Sequence, residues 1–273
     1  SDLGQTPPQT KTIPRTWKRD MLTLFEPKSF TDTILRVYST TFTTIFISFH
    51  MTHFAGSENE EYTDIYAHSD ILCECSPYFK AVFSSQLLET TSKIIHLKQT
   101  TKEYVFSLYL LGEDESVMKI AYRAVLQALR WMYGLDLTNG NLEQWVDLLD
   151  IATRFMLDSL SYYVQNRLAL AINDNNVCTL FQVSDIYRFV FPLFLLFPPF
   201  ISSDTPSHRA VLLKEECITH IQLNSQIRRT AEWKALPKSL TNEIAEFKPP
   251  KKTIAPPEKR LAVWDQTQAS GST

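Results

Sequence analysis

Ala67-His68-Ser69-Asp70-Ile71-Leu72-Cys73-Glu74-Cys75-Ser76-Pro77-Tyr78-Phe79-Lys80-Ala81-Val82-Phe83 is the stretch that decides the fold. An extended segment ends at Ala67, and a short apolar turn of helix follows. Ser76-Pro77 then breaks it. Serine is a strong helix N-cap and proline is tolerated in the first turn, so a second, aromatic-rich helix starts at Pro77. Two short helices joined without a loop must pack tightly against each other.

Working outward, Ile34, Leu35 and Val37 read as a strand after Phe30-Thr31-Asp32. Tyr62 to Ala67 reads as a second strand and Ile94 to Leu97 as a third. Ala124, Val125, Ala128, Leu129 and Met132 recur at helical spacing, as do Leu142, Trp145, Val146, Leu149 and Ala152. Asn139-Gly140 supplies the turn between these helices, and Asn141 with Gln144 forms a capping box. Another helix runs from Asp158 to about Ala171. Further on, Leu213, Cys217, Ile218 and Ile221 make one apolar helix face, and Leu240, Ile244 and Phe247 make another after the break at Pro237.

Composition narrows the function. The net charge of -3 gives no drive toward nucleic acid or acidic membranes. Only 6 glycines are present, and neither a G-x-G-x-x-G nor a Walker sequence occurs. Cys73, Cys75, Cys178 and Cys217 lack metal-site spacing and suit reduced thiols. His50-Met51-Thr52-His53 has an H-x-x-H spacing but lacks the glutamate and third ligand of a zinc site. No catalytic residue, cofactor or metal is expected. The apolar run Phe189 to Ile201 is broken by Pro192, Pro198 and Pro199 and is too short to span a bilayer. The polar first residues do not form a signal peptide. The reading is a soluble protein of the cytoplasm, the nucleus or both.

Taken in order, these elements resemble the BTB/POZ family. Its opening F-[ST]-D is Phe30-Thr31-Asp32, and its A-H-x-x-x-L is Ala67, His68 and Leu72. Its S-P-Y-F-x-x-[ML]-F is Ser76-Pro77-Tyr78-Phe79 to Phe83, with Val82 at the seventh position. Its I-x-L strand is Ile95 to Leu97, and its helix ending in Tyr is Leu129 to Tyr133-Gly134. Its L-L-x-x-A motif is Leu148-Leu149 and Ala152, continuing through Phe155, Leu157 and Leu160. The stretch from Asn176 to Phe247 is similar to the BACK, or three-box, helical extension.

The resemblance implies an α+β fold, a small sheet covered by helices, followed by an all-helical BACK-like extension. The expected plan is a disordered lead at 1–22, a BTB/POZ domain at 23–172 and a helical extension at 173–247. A disordered Pro/Lys-rich tail is expected at 248–273, whose Lys248, Lys251, Lys252, Lys259 and Arg260 form a basic cluster. The resemblance also implies a homodimer, through Leu22, Leu24, Phe25, Phe30, Ala67, His68, Ile71 and Leu72. In BTB adaptors of cullin ligases a hydrophobic-x-Glu motif follows S-P-Y-F. Leu87-Leu88-Glu89 stands there, so Tyr78, Phe79, Leu87 and Glu89 become candidate cullin contacts. The implied role is a substrate adaptor for a cullin-type ubiquitin ligase, with the protein substrate unidentified. The alternative is a dimerisation or transcription-regulatory module. Many family members carry Lys or Arg after the histidine; Ser69 stands there, which removes the expected cation beside Asp32 and weakens that alternative.

Three segments interrupt the pattern, near 38–56, 104–120 and 188–203. Long structureless loops inside a compact domain are uncommon. Two readings stay open: divergent loops with extra strands, as Phe42, Ile45, Ile47 and Phe49 suggest, or translated introns. Phe codons contain only pyrimidines, so Phe189 to Pro199 could encode a polypyrimidine tract. Glu103-Tyr104-Val105 can be encoded through GTACGT and Phe54-Ala55-Gly56 through GCAG, both resembling splice junctions.

Overall fold

The computed structural model describes residues 31–39, 61–85, 92–97, 117–189, 210–247 and 255–270. Strands β1 (Thr33–Ser39) and β2 (Glu61–Ala67) come first, then helices α1 (Ser69–Cys75) and α2 (Pro77–Ser84), then β3 (Ile94–Leu97). Helices α3 (Val117–Met132), α4 (Leu142–Arg154) and α5 (Asp158–Leu170) follow. Beyond them lie α6 (Val177–Phe189), α7 (Val211–Leu223), a 3-10 turn (Ser225–Arg229), α8 (Ala231–Ala235), α9 (Lys238–Glu246) and α10 (Pro257–Ser270).

The three strands form one sheet in the order β2-β1-β3. β1 pairs antiparallel with β2, from Thr33 opposite Ala67 to Ser39 opposite Glu61. It pairs parallel with β3, from Ile34 beside Ile94 to Val37 beside Leu97. Alternation explains the register, because shifting it by one residue would turn the core face outward. Leu35, Val37, Ile65, Ala67 and Ile95 face the core. On the other face Arg36 makes a bidentate pair with its cross-strand neighbour Asp64, at 2.8 and 2.9 Å, and its guanidinium lies 3.9 Å from the Tyr62 ring centroid.

The helices begin and end where local chemistry requires. The Ser76 hydroxyl accepts from the Phe79 N–H at 3.3 Å and donates to the Phe155 carbonyl at 2.6 Å. One buried side chain therefore caps α2 and ties it to the end of α4. The Asn141–Gln144 capping box is formed in both directions, at 2.9 and 3.1 Å. α3 ends through Gly134 at φ 68°, the left-handed conformation that glycine takes without steric cost. Leu135 N–H then reaches the Arg130 carbonyl at 2.8 Å. Phe79 packs at the centre, wholly buried, with its ring centroid 4.7 Å from that of Phe155.

The later helices are bound by buried polar groups as well as by apolar packing. No side chain of its own caps α7. The Gln165 carboxamide of α5 does so instead, accepting from Leu212 and Leu213 N–H at 3.2 and 3.3 Å. Lys214 of α7 is buried, and its ammonium donates to Asp185 of α6 and Glu243 of α9 at 2.6 and 2.7 Å. A buried cation is stable only when paired in this way.

The tail departs from expectation. Residues 257–270 are helical, and Arg260 and Leu261 are buried. Pro256-Pro257-Glu258 is a helix-start signal, with proline at the first position and an acid in the first turn. Arg260 therefore leaves the expected solvated basic cluster. The expected lead at 1–22 lies outside the described residues, as do His50 and His53; of the interruptions expected near 38–56, 104–120 and 188–203, residues 38–39 belong to β1, 117–120 to α3 and 188–189 to α6, and the rest lie outside the described residues.

Candidate functional site

The site is built around the junction where β2 runs into α1. Ser69 follows His68 here, and its backbone N–H and hydroxyl donate to the two Asp32 carboxylate oxygens at 2.7 and 2.5 Å. Lys93, just ahead of β3, brings its ammonium to 3.7 Å from Asp32. It holds a left-handed φ of 58°, uncommon for a side chain of this kind, while its carbonyl accepts from Ile34 N–H at 2.9 Å. The Asp32 and Lys93 side chains are both half exposed, so this is a surface pair and not the buried charge pair that Ser69 puts in doubt. Burial works against ionisation of Asp32, but the Ser69 donors and Lys93 outweigh it and hold the carboxyl below its ordinary value.

His68 is fastened by Tyr133, at the end of α3. The Tyr133 hydroxyl accepts from the His68 N–H at 3.0 Å and lies 2.7 Å from the imidazole Nδ1. Burial pushes the Tyr133 phenol up to about 12, so it stays protonated at neutral pH. The imidazole Nε2 is buried without a hydrogen-bond partner. This geometry anchors a loop; it does not pair a base with a nucleophile. Cys75 of α1 gives its thiol to the Met132 carbonyl at 3.4 Å, and burial pushes that thiol up to about 11. Cys73, Cys75, Cys178 and Cys217 are all free thiols. Among the described residues no group of three or more His, Cys, Asp or Glu side chains could hold a metal ion, and no helix is long and apolar enough to cross a membrane.

Beside this junction, α2 presents Tyr78, half-buried, stacked on Phe155 at 5.7 Å between ring centroids. α1 and α2 pack on each other, and Ser76 joins α2 to the end of α4. Residues 58–169 match the family model described as BTB/POZ domain. The chain contains a BTB/POZ domain.

The BTB/POZ domain is a protein–protein interaction and dimerisation module. The match runs from just ahead of β2 into α5. No curated protein matches the chain.

The structure sorts the expected contact residues by burial. Phe79 is wholly buried, so it supports the surface from beneath and offers a partner nothing. Ala67 and Leu72 are also buried inside the chain and belong to its core. In each case an apolar side chain on a short, two-sided element finds a partner within the molecule first. His68 and Ile71 keep partial exposure and sit within one turn of each other on the same junction. Tyr78 and Phe83 are partly exposed on α2. Leu22, Leu24, Phe25, Phe30, Leu87 and Glu89 lie outside the described residues. Asp32 accepts from Ser69, Ser76 caps α2 with Pro77 as its first residue, and Tyr133 accepts from the His68 N–H. Sequence reasoning missed Lys93 as the cation beside Asp32; its place directly before the Ile94–Leu97 strand, which pairs with β1, was the available signal.

Proposed function

We propose that the chain is a non-enzymatic substrate adaptor for a cullin-type ubiquitin ligase. The observation that carries this reading is α2, which leads into Leu87-Leu88-Glu89 and exposes Tyr78 above a rigid Phe79–Phe155 floor. A partly exposed aromatic held on a fixed base is the kind of residue that anchors interfaces. An apolar anchor at Leu87 would enter a groove on the scaffold, and Glu89 would fix its register. The helices from Val177 to Glu246 serve in this reading as a BACK-like extension that lengthens the docking surface. The protein also forms a symmetric homodimer, using Ile71 and His68 with Leu22 to Phe30, one patch serving both subunits. Light scattering should give twice the chain mass at micromolar concentration; a monomer there refutes the dimer.

The deciding titration uses a cullin N-terminal domain against the folded chain and its Leu87→Asp variant. Tight binding that the variant loses supports the adaptor. A folded chain that does not bind leaves the second reading, a dimerisation or transcription-regulatory module. The β2–α1 junction, with His68 and Ile71 partly exposed, is the surface that reading would use.

A further inference from the structure

Arg260 is the most specifically held side chain in the last helix. Its Nε donates to Asn166 Oδ1 of α5 at 2.6 Å, its Nη2 to Glu216 Oε1 of α7 at 2.7 Å, and its Nη1 to the Ala255 carbonyl at 2.7 Å. Asn166 is completely buried and is itself oriented by donating to the Tyr162 carbonyl at 2.8 Å. Gln165, one residue away, caps α7. The acceptors therefore belong to helices that are already locked to each other. They form a fixed fork, complementary in charge and geometry to a planar guanidinium. In the helix that fills it, Arg260 and Leu261 are buried, whereas Glu258, Lys259 and Val263 are exposed.

We propose that the cleft between α5 and α7 recognises an arginine–leucine helical segment, and that it accepts the Pro256–Leu261 segment of a second copy of this chain as well as its own. Two features support exchange. Every contact of Arg260 except the local one to Ala255 crosses from the tail to a separate element, so the same bonds form when the tail comes from another molecule. The segment also carries its own helix-start signal, Pro256-Pro257-Glu258, so its helix begins without help from the residues ahead of it. The second copy is preferred as occupant because its tail carries the one sequence shown to fit. Such a link joins chains through the C-terminal segment, at a place separate from the β2–α1 junction.

Two variants of the 273-residue chain test this in combination. Arg260→Ala keeps the cleft and spoils the tail; Asn166→Ala with Glu216→Ala spoils the cleft and keeps the tail. Circular dichroism verifies that each is folded. Hydrogen exchange is then followed at 258–263, where the Arg260 substitution makes the two tails distinguishable by mass. The cleft-spoiled chain alone should exchange rapidly there, and mixing with Arg260→Ala should restore protection to its tail at least tenfold. Dimerisation through the β2–α1 junction leaves that signal unchanged, so its failure and the failure of this proposal are separable. A synthetic peptide of residues 255–270 provides the second measurement. It should bind the Arg260→Ala chain at least tenfold more tightly than it binds wild type, whose own tail competes at high effective concentration. No peptide binding to the folded variant overturns the proposal. Peptide binding without transfer between chains overturns the exchange.

Discussion

Replacing residues 40–60 with a short turn should leave the sheet intact and make the protein more stable. Ser39 and Glu61 stand directly opposite each other at the ends of β1 and β2, so the chain leaves β1 and returns within about 5 Å. A hairpin of that geometry closes with two to four residues. Loop-closure entropy costs about 0.6 kcal/mol per doubling of length, so cutting the connection two to three times in half gains roughly 1.5–2 kcal/mol. At about 2–4 °C per kcal/mol for a chain of this size, the midpoint should rise by roughly 3–8 °C. Two versions, one with Asn-Gly and one with a four-residue glycine-containing turn, allow for either hydrogen-bonding phase at the junction. Thermal melts followed by circular dichroism, with urea titrations beside them, provide the measurement. If both versions unfold or fall by more than 1 kcal/mol, residues 40–60 contribute to the fold and the reasoning from register is wrong. Transcript sequencing addresses the related question of origin. Mature messages lacking this segment support the intron reading, and messages that always keep it exclude that reading.

Other perturbations have defined outcomes. Ser76→Ala removes both the α2 cap and the bond to the Phe155 carbonyl, and urea unfolding should register a loss of about 1–3 kcal/mol. Asp147 of α4 has a buried Oδ2 with no partner, and burial, with Asp150 and Glu143 nearby, pushes its carboxyl up to about 8. The proton is favoured in the folded state, so stability is fullest below the ordinary value of 3.8 and declines as pH rises toward about 8. Asp147→Asn should flatten that slope and stabilise the protein at pH 7.5, on the order of 2 kcal/mol; an unchanged melting profile between pH 4 and 8 refutes this. Asp32 has the opposite sign: its contribution is present above the ordinary carboxylate value and is lost as pH falls through the lowered one. Ser69→Ala should shrink that acid-side loss, measured as a smaller drop in midpoint on acidification.

Elements with a strong local signature were legible from sequence. Ser76-Pro77, the Asn141–Gln144 box and the alternation of Leu35 and Val37 each carry their own stop, start or face signal, and the structure has each of them. What escaped depends on contacts between distant residues. Lys93 reaches Asp32 across 61 positions because β3 lies parallel beside β1, and a parallel pairing leaves no turn signature. Phe79, Ala67 and Leu72 have the composition of interface residues, and only burial by remote helices assigns them to the core. The tail was misread for a similar reason. Prolines and lysines suggested a segment with nothing to bury, but one arginine found its acceptors 44 and 94 positions upstream.

That last distance bears on synthesis at the ribosome. The sheet needs β3, because β1 occupies the centre and has one edge unpaired until Ile94–Leu97 emerges. Until then the nascent chain carries an open strand edge, the feature most apt to recruit wrong neighbours. Arg260 emerges after α5 and α7 and closes over helices that are already made. The clasp therefore forms only after both of the helices it joins, and a chain stalled ahead of Arg260 never makes it.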